Sequence, residues 1–296
     1  MNTYSTNWKT LPSTEDLSVN FLQPTLNGKH ETRFVRRQDD YFIVYLSSHD
    51  GCKMGCRFCH LTQMRLNSFV PVTMSEYIDQ AKKVLSHYDG VVGGGGQPEA
   101  SCVHFNFMAR GEALANPVVL HEFSELKAKL EDLSDIRNLE SKFKVSTIMP
   151  KMSQDFDLIK ISGNNVALYY SLYSLNAEFR RKWLPNAMDA YEALDRLARW
   201  QDRTNGRIVL HWALIENEND SIEEAQAIAN AINARGIKTK FNLVRYNTPG
   251  PQQGCESNDG VRDNYFKTLS RALSHPSKIV PRVGFDVAAS CGMFIA

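Results

Sequence analysis

From residue 42 onward, the hydrophobic positions fall into two alternating rhythms. Short runs rich in β-branched and aromatic residues predict strands: FIVYLSS from Phe42, CVHFNFMA from Cys102, FKVSTIM from Phe143, VALYYSLY from Val166, RIVLHWALI from Arg207 and TKFNLVRY from Thr239. Between them lie stretches with helical spacing. Over Met74–His87, Tyr77, Ile78, Ala81, Val84 and Leu85 share one helix face. The same spacing predicts helices over Pro117–Leu133, Asn186–Gln201, Ser221–Ala234 and Gly260–Leu273, with Ser221 ahead of Glu223 and Glu224 as a helix start. Six strands separated by helices imply βαβ units and a parallel sheet, which at this length is expected to curl into a partial (β/α)6 barrel of the TIM-like kind. The glycine-rich run Gly90–Gly96 reads as a surface loop. A phosphate cradle is the less favoured reading, because Gln97-Pro98 follows rather than a helix start. Residues 1–30, with Pro12 and Pro24, are expected to form a short extension packed on a core spanning 31–296.

Composition narrows the class. The chain has 296 residues, 43% hydrophobic and 23% charged, which excludes a disordered or collagen-like polymer. A net charge of +1 excludes a generally basic nucleic-acid coat but leaves room for a local basic patch. No stretch reaches the roughly 18 apolar residues of a membrane span, and MNTYSTNWKT lacks the order of a signal peptide, so a cytoplasmic protein is expected. Six cysteines are too few for a disulfide scaffold, and three of them fall between Cys52 and Cys59.

Those three, in GCKMGCRFC, give a C-x3-C-x2-C pattern directly after the first predicted strand. Three thiolates on one loop can converge on one inorganic centre. Structural zinc takes four protein ligands, and no Cys or His pair elsewhere completes a set. Three cysteines suit a 4Fe–4S cluster better, since one iron keeps an open coordination site.

This arrangement resembles the radical S-adenosylmethionine (SAM) superfamily, in which the open iron chelates SAM and reductive cleavage yields a 5′-deoxyadenosyl radical. Catalytic groups of a βα barrel sit at the C-terminal ends of its strands. On that rim the sequence places Gly111-Glu112, whose carboxylate would accept the SAM ammonium, then Ser146, the Ser171-Leu172-Tyr173 run, and Asn247. A narrower resemblance follows from RGEALANP, VSTIMP, SLYSLNAEFRRKWLP, FNLVRYNTPGP and the terminal PRVGFDVAASCGMFIA. In this order they are similar to the motifs of the RlmN/Cfr family of RNA adenine-C2 methyltransferases.

The resemblance implies two SAM molecules per turnover. One methylates Cys291; the second generates the radical that takes hydrogen from the resulting S-methyl group, and the carbon radical adds to adenine C2. It implies Glu31, in HETRF, as the base that removes the C2 proton. It further implies an rRNA or tRNA substrate, an electron donor such as flavodoxin or ferredoxin, and a monomer. Departures are visible. Tyr45 stands where the family has a cysteine that helps release product, with Cys255 expected to replace it and Cys102 as the other candidate. Tyr173 replaces a histidine, Ala113 replaces a proline, and the family's N-terminal accessory domain is reduced to about 30 residues. Arg33–Arg37 and Phe179–Trp183, where cations and aromatics interleave, are the candidate RNA-contacting surfaces. Two rival readings stay open: a radical SAM enzyme with another substrate, and an iron–sulfur RNA-binding regulator without catalysis.

Overall fold

The computed structural model describes residues 7–296. The chain opens with three antiparallel strands, β1 (Lys9–Pro12), β2 (Val19–Pro24) and β3 (Lys29–Gln38), and β3 pairs antiparallel with β4 (Tyr41–Tyr45). A loop and the one-turn α1 (His60–Gln63) lead into α2 (Met74–Gly93) and β5 (Cys102–Phe107). Then come α3 (Pro117–His121), α4 (Phe123–Asp135), β6 (Glu140–Thr147), β7 (Val166–Tyr170), α5 (Ala177–Trp183), α6 (Ala190–Thr204) and β8 (Arg207–Ala213). The chain ends with α7 (Ile222–Asn233), β9 (Thr239–Val244), α8 (Asp259–Ala272), the short β10 (Lys278–Val280) and an irregular tail. All ten strands form one sheet in sequence order, with every pairing from β4 to β10 parallel. The six predicted strands are β4 to β9, and the architecture is a partial barrel, open between β1 and β10. Among the described residues, no helix is long and apolar enough to cross a membrane.

The differences from expectation have local causes. The sequence reading missed β1 to β3. In β3, KHETRFVRRQ carries charges where a strand usually alternates, and Arg33 and Arg36 are buried by their ion-pair and hydrogen-bond partners rather than by hydrophobicity. Thr73 and Glu76 close a capping box on α2, whose buried face continues to Tyr88, and the helix runs on through Gly93. Only Gly94–Gly96 of the glycine run lies beyond it. The single helix expected over Pro117–Leu133 is two, broken at Glu122 (φ −125°, ψ 19°).

Strand alternation places the core between sheet and helices. Phe42, Val44, Val103, Phe105, Phe143, Val145, Leu168, Leu210, Phe241 and Leu243 point outward beneath the helices and are fully buried. Their neighbours in the period of two, including Tyr41, Tyr45, Asn106, Lys144, Tyr169, His211, Asn242 and Lys278, line a cavity inside the barrel. Most barrels of this size fill their interior with branched apolar side chains. This one keeps a cavity of about 220 Å³ with several charged and amide side chains on its wall.

The outer layer tolerates little added volume. A Cβ at Gly206 would lie 2.1 Å from the buried Trp200 ring, whose indole N–H donates to the Ile161 carbonyl at 2.9 Å. Gly206→Ala should therefore displace that ring and lower stability by about 1–3 kcal/mol. A urea unfolding midpoint equal to wild type would show that the ring can move aside freely.

Candidate active site

The loop from Leu46 to Cys59 leaves β4 at its C-terminal end and is stitched to the rest of the rim by main-chain bonds. Ser48 N–H donates to the Arg110 carbonyl (2.7 Å), Cys52 N–H to Leu66 (3.0 Å) and Arg57 N–H to Trp183 (2.9 Å). Cys52, Cys56 and Cys59 all face the cavity. Phe58, just before the last of them, stacks on Tyr173 with ring centroids 4.2 Å apart. Burial pushes the Cys52 thiol up to about 12 and Cys59 to about 11, and raises Cys56 well above the usual range. Three thiols that resist ionisation individually become thiolates readily when a metal centre supplies positive charge. Among the described residues, no three His, Cys, Asp or Glu side chains converge closely enough for a single ion. Structural zinc takes four protein ligands, whereas a 4Fe–4S cluster can leave one iron without a protein donor, so three cysteines facing one cavity fit a 4Fe–4S cluster better than zinc.

Around the thiols the strand ends converge. Gly111 adopts φ +92°, and a Cβ there would lie 2.5 Å from the His49 ring, so only glycine fits. The next residue, Glu112, is buried on the cavity wall; it accepts from the Leu114 N–H (3.1 Å) and Ile148 N–H (3.2 Å). Burial raises its pKa to about 7, and none of the ion pairs among the described residues involves it. A carboxylate held this way suits a cationic ligand such as an ammonium group. Ser146, Ser171 and Tyr173 also line the cavity, the last at φ +62°. Leu172 does not: it is fully buried, and its carbonyl accepts from Arg180.

Cys291 opens onto the same cavity from the C-terminal tail. Its thiol pKa is raised by burial, against the opposing pull of Arg33 and Arg37. The tail has no regular structure and is held by side chains. Asn247 donates to the Cys291 carbonyl at 2.9 Å, and the His60 N–H donates to the Gly292 carbonyl at 3.1 Å. Asn247 therefore also positions the cysteine. Arg33 donates to the Met293 carbonyl (2.7 Å), and Arg110 donates to the Ile295 carbonyl. The N-terminal strands brace the other side: Asp286 accepts from Ser13 and Thr14, and Asn20 donates to the Val287 carbonyl.

Glu31 sits at the centre of this clasp and outside the cavity lining. Its side chain is fully buried, with Oε2 2.8 Å from Arg33 and Oε1 2.8 Å from Arg110 and 2.9 Å from the Ile295 N–H. Burial works to raise its pKa, but the two guanidinium groups override it and hold the carboxyl below the usual range. Both oxygens are engaged and basicity is reduced, so the geometry gives Glu31 the work of fastening the tail rather than of accepting a substrate proton. The expected surfaces are also corrected. Phe34, Arg33, Arg36, Phe179, Arg180 and Trp183 are buried, and of the first segment only Arg33 and Arg37 line the cavity. Neither candidate replacement thiol reaches Cys291's cavity: Cys255 bonds Glu216 on the surface at 2.9 Å, and Cys102 lies at the start of β5. Tyr45 does line it.

Comparison with known proteins agrees with this geometry. The ribosomal RNA large subunit methyltransferase Cfr of Staphylococcus warneri is 26% identical over 95% of this chain and 76% of its own length. The dual-specificity RNA methyltransferase RlmN of Methylorubrum extorquens (strain PA1) is 26% identical over 86% of this chain and 59% of its own. Along most of its length, this chain resembles the Cfr and RlmN methyltransferases. A solved radical SAM methyltransferase from Sphaerobacter thermophilus superposes with a TM-score of 0.79 at 21% identity, covering 96% of this chain and 79% of that one, which establishes the shared fold. No family model matches the chain.

Removing one partner from a buried ion pair leaves uncompensated charge, at a cost of about 3–5 kcal/mol. Glu31→Gln should therefore free the tail, and hydrogen exchange should show the Ile295 amide losing its protection. The sign with pH follows from the lowered pKa: the stabilisation by Glu31 is complete above its ordinary value near 4.5 and is lost as pH falls through the depressed folded value. Unchanged protection in the variant would mean that the clasp does not hold the tail.

Proposed function

We propose that this chain is a radical SAM RNA methyltransferase that methylates C2 of an adenine through S-methylated Cys291. Its relatives are named as RNA methyltransferases, and it shares the fold of a radical SAM methyltransferase. The observation that carries the reading is that Cys291, brought from the far end of the chain, opens onto the same cavity as Cys52, Cys56 and Cys59. A sensor or purely structural iron–sulfur protein has no need of a cysteine held there by Asn247, Arg33 and Arg110. Cys52, Cys56 and Cys59 would hold a 4Fe–4S cluster with one iron left open, which would supply the electron for reductive cleavage of SAM.

The chain's own groups account for the remaining work. Glu112 offers a carboxylate to the SAM ammonium, and Ser146 and Ser171 add polar contacts on the same wall. Cys291, as thiolate, takes a methyl group from one SAM by displacement; the pull of Arg33 and Arg37 favours that thiolate. Electron-poor adenine C2 cannot attack a sulfonium methyl itself, which is why a protein thiol must carry the group. Once methylated, Cys291 gives up a hydrogen atom from its S-methyl group at the expense of a second SAM. The carbon radical it then carries bonds to C2. Loss of the C2 proton to solvent and cleavage of the Cys291 carbon–sulfur bond free that carbon to take a proton as the methyl group. One electron from the external donor that reduces the cluster restores the Cys291 thiolate. In this reading residues 31–296 form the catalytic core and residues 1–30 a short extension, of which residues 7–30, the described part, extend the sheet and brace the tail.

Purified protein should carry about 14 Da on the peptide containing Cys291, the mass of one added CH₂. Cys291→Ala should retain its iron and its cleavage of SAM to 5′-deoxyadenosine, while RNA from cells expressing it should lack the 2-methyladenosine that wild type produces. Cys56→Ala should lose both iron and cleavage. Methylation by the Cys291→Ala variant at the wild-type level would refute the covalent route.

A further inference from the structure

Six cations line the barrel cavity, yet its lining contains a single acid, Glu112, up beside the thiols. Three of the cations are already ion-paired: Arg33 with Glu31, and Arg245 and Arg282 with Glu256. The other three are Arg37 at the end of β3, Lys144 on β6 and Lys278 on β10. None of them takes part in an ion pair among the described residues. They approach the cavity from three separate strands, with Lys278 on the edge strand β10.

The surroundings of Lys144 make the absence of an anion costly. Its Nζ lies 2.6 Å from His104 Nδ1, a partner that cannot neutralise it, and 5.9 Å from the Tyr169 ring centroid. Burial first, then Lys278 and Arg37, lower its pKa to about 7. Burial and the same cations lower His211 to about 4, so the whole region resists further positive charge. A second set of observations points to a ligand here. Arg37 Nε and the amide oxygens of Asn106 and Asn242 are buried without a hydrogen-bond partner, and all three residues line this cavity. Asn242 pairs in register with Lys278 on one side and His211 on the other.

We infer that Arg37, Lys144 and Lys278 form an anion site inside the barrel that binds a phosphate group attached to a nucleoside. Charge-assisted bonds from three converging cations suit the several oxygens of a phosphate. The unpartnered amides of Asn106 and Asn242 supply donors and acceptors for a base edge, as asparagine does with adenine. Tyr41 and Tyr169 add ring faces nearby. The phosphate belongs either to a free nucleotide or to a strand from which a nucleotide has been turned inward; the chemistry at the site is common to both. The inference rests on the reading above in taking the nucleoside as the substrate, but its test reads binding alone. Methylation can therefore fail while the site stands, and the reverse.

The test uses anaerobically reconstituted protein saturated with SAM and isothermal titration with adenosine, adenosine 5′-monophosphate and a short oligoribonucleotide. The monophosphate or the oligonucleotide should bind at least about tenfold more tightly than adenosine, the gain expected of one or two charge-assisted contacts. Lys144→Met and Lys278→Met, made singly and together, should erase that advantage while leaving adenosine affinity and SAM affinity unchanged. Lys82→Met, on the exposed face of α2, should keep it. Stronger binding of the monophosphate identifies a free nucleotide as the source, and stronger binding of the oligonucleotide identifies a strand. Lys278 is exposed at the short β10, so Lys278→Met keeps the test decisive even if Lys144→Met fails to fold. Equal affinity for adenosine and both phosphorylated probes, or an advantage that survives loss of both lysines, would overturn the inference.

Discussion

A single buried carboxylate organises the two ends of this protein. Glu31 lies between Arg33 and Arg110 with all three side chains essentially inaccessible to water. Two guanidinium groups against one carboxylate leave a net positive charge in a medium that tolerates it badly. The carbonyls of Ser290, Met293 and Ile295, together with that of Asp50, turn toward the arginines and offset it. The dependence is mutual. Without the tail, the arginines would lose most of their carbonyl acceptors; without the arginines, the tail would lose its anchors at Ser290, Met293 and Ile295. That path determines where Cys291 sits.

The second organising feature is the inverted polarity of the barrel. Packing is concentrated between the outer strand faces and the helices, where Trp200, Trp212 and Tyr77 are almost wholly buried. That layer makes it possible to leave the inner face polar and open. The rim then carries the thiols, Glu112 and Cys291, while the middle of the barrel carries charge and unpartnered amides. Chemistry that uses a reactive carbon radical gains from such an arrangement, because the reacting groups share one cavity.

The sequence alone determined the alternation of six strands with helices, because each element is short, strongly patterned and bounded by clear breakers. It also determined the thiol cluster, whose three members lie on one loop and need no distant residue to be recognised. Cys291 and Glu112 were expected on the rim from the motif-like residues around them, and both line the cavity. Residue identity was enough for those. It was not enough for Glu31, which looks the same on a page whether it meets a substrate proton or two arginines. Nor could it show that Phe34, Phe179 and Trp183 face inward, since interleaved cations and aromatics read equally as a surface. The tertiary structure decided both, by bringing β3, Arg110 and the tail together and by turning Arg37, Lys144 and Lys278 into one cavity. Burial and pairing between residues far apart in sequence fix the charge state and reach of a side chain, and neither is a property of the local string that carries it.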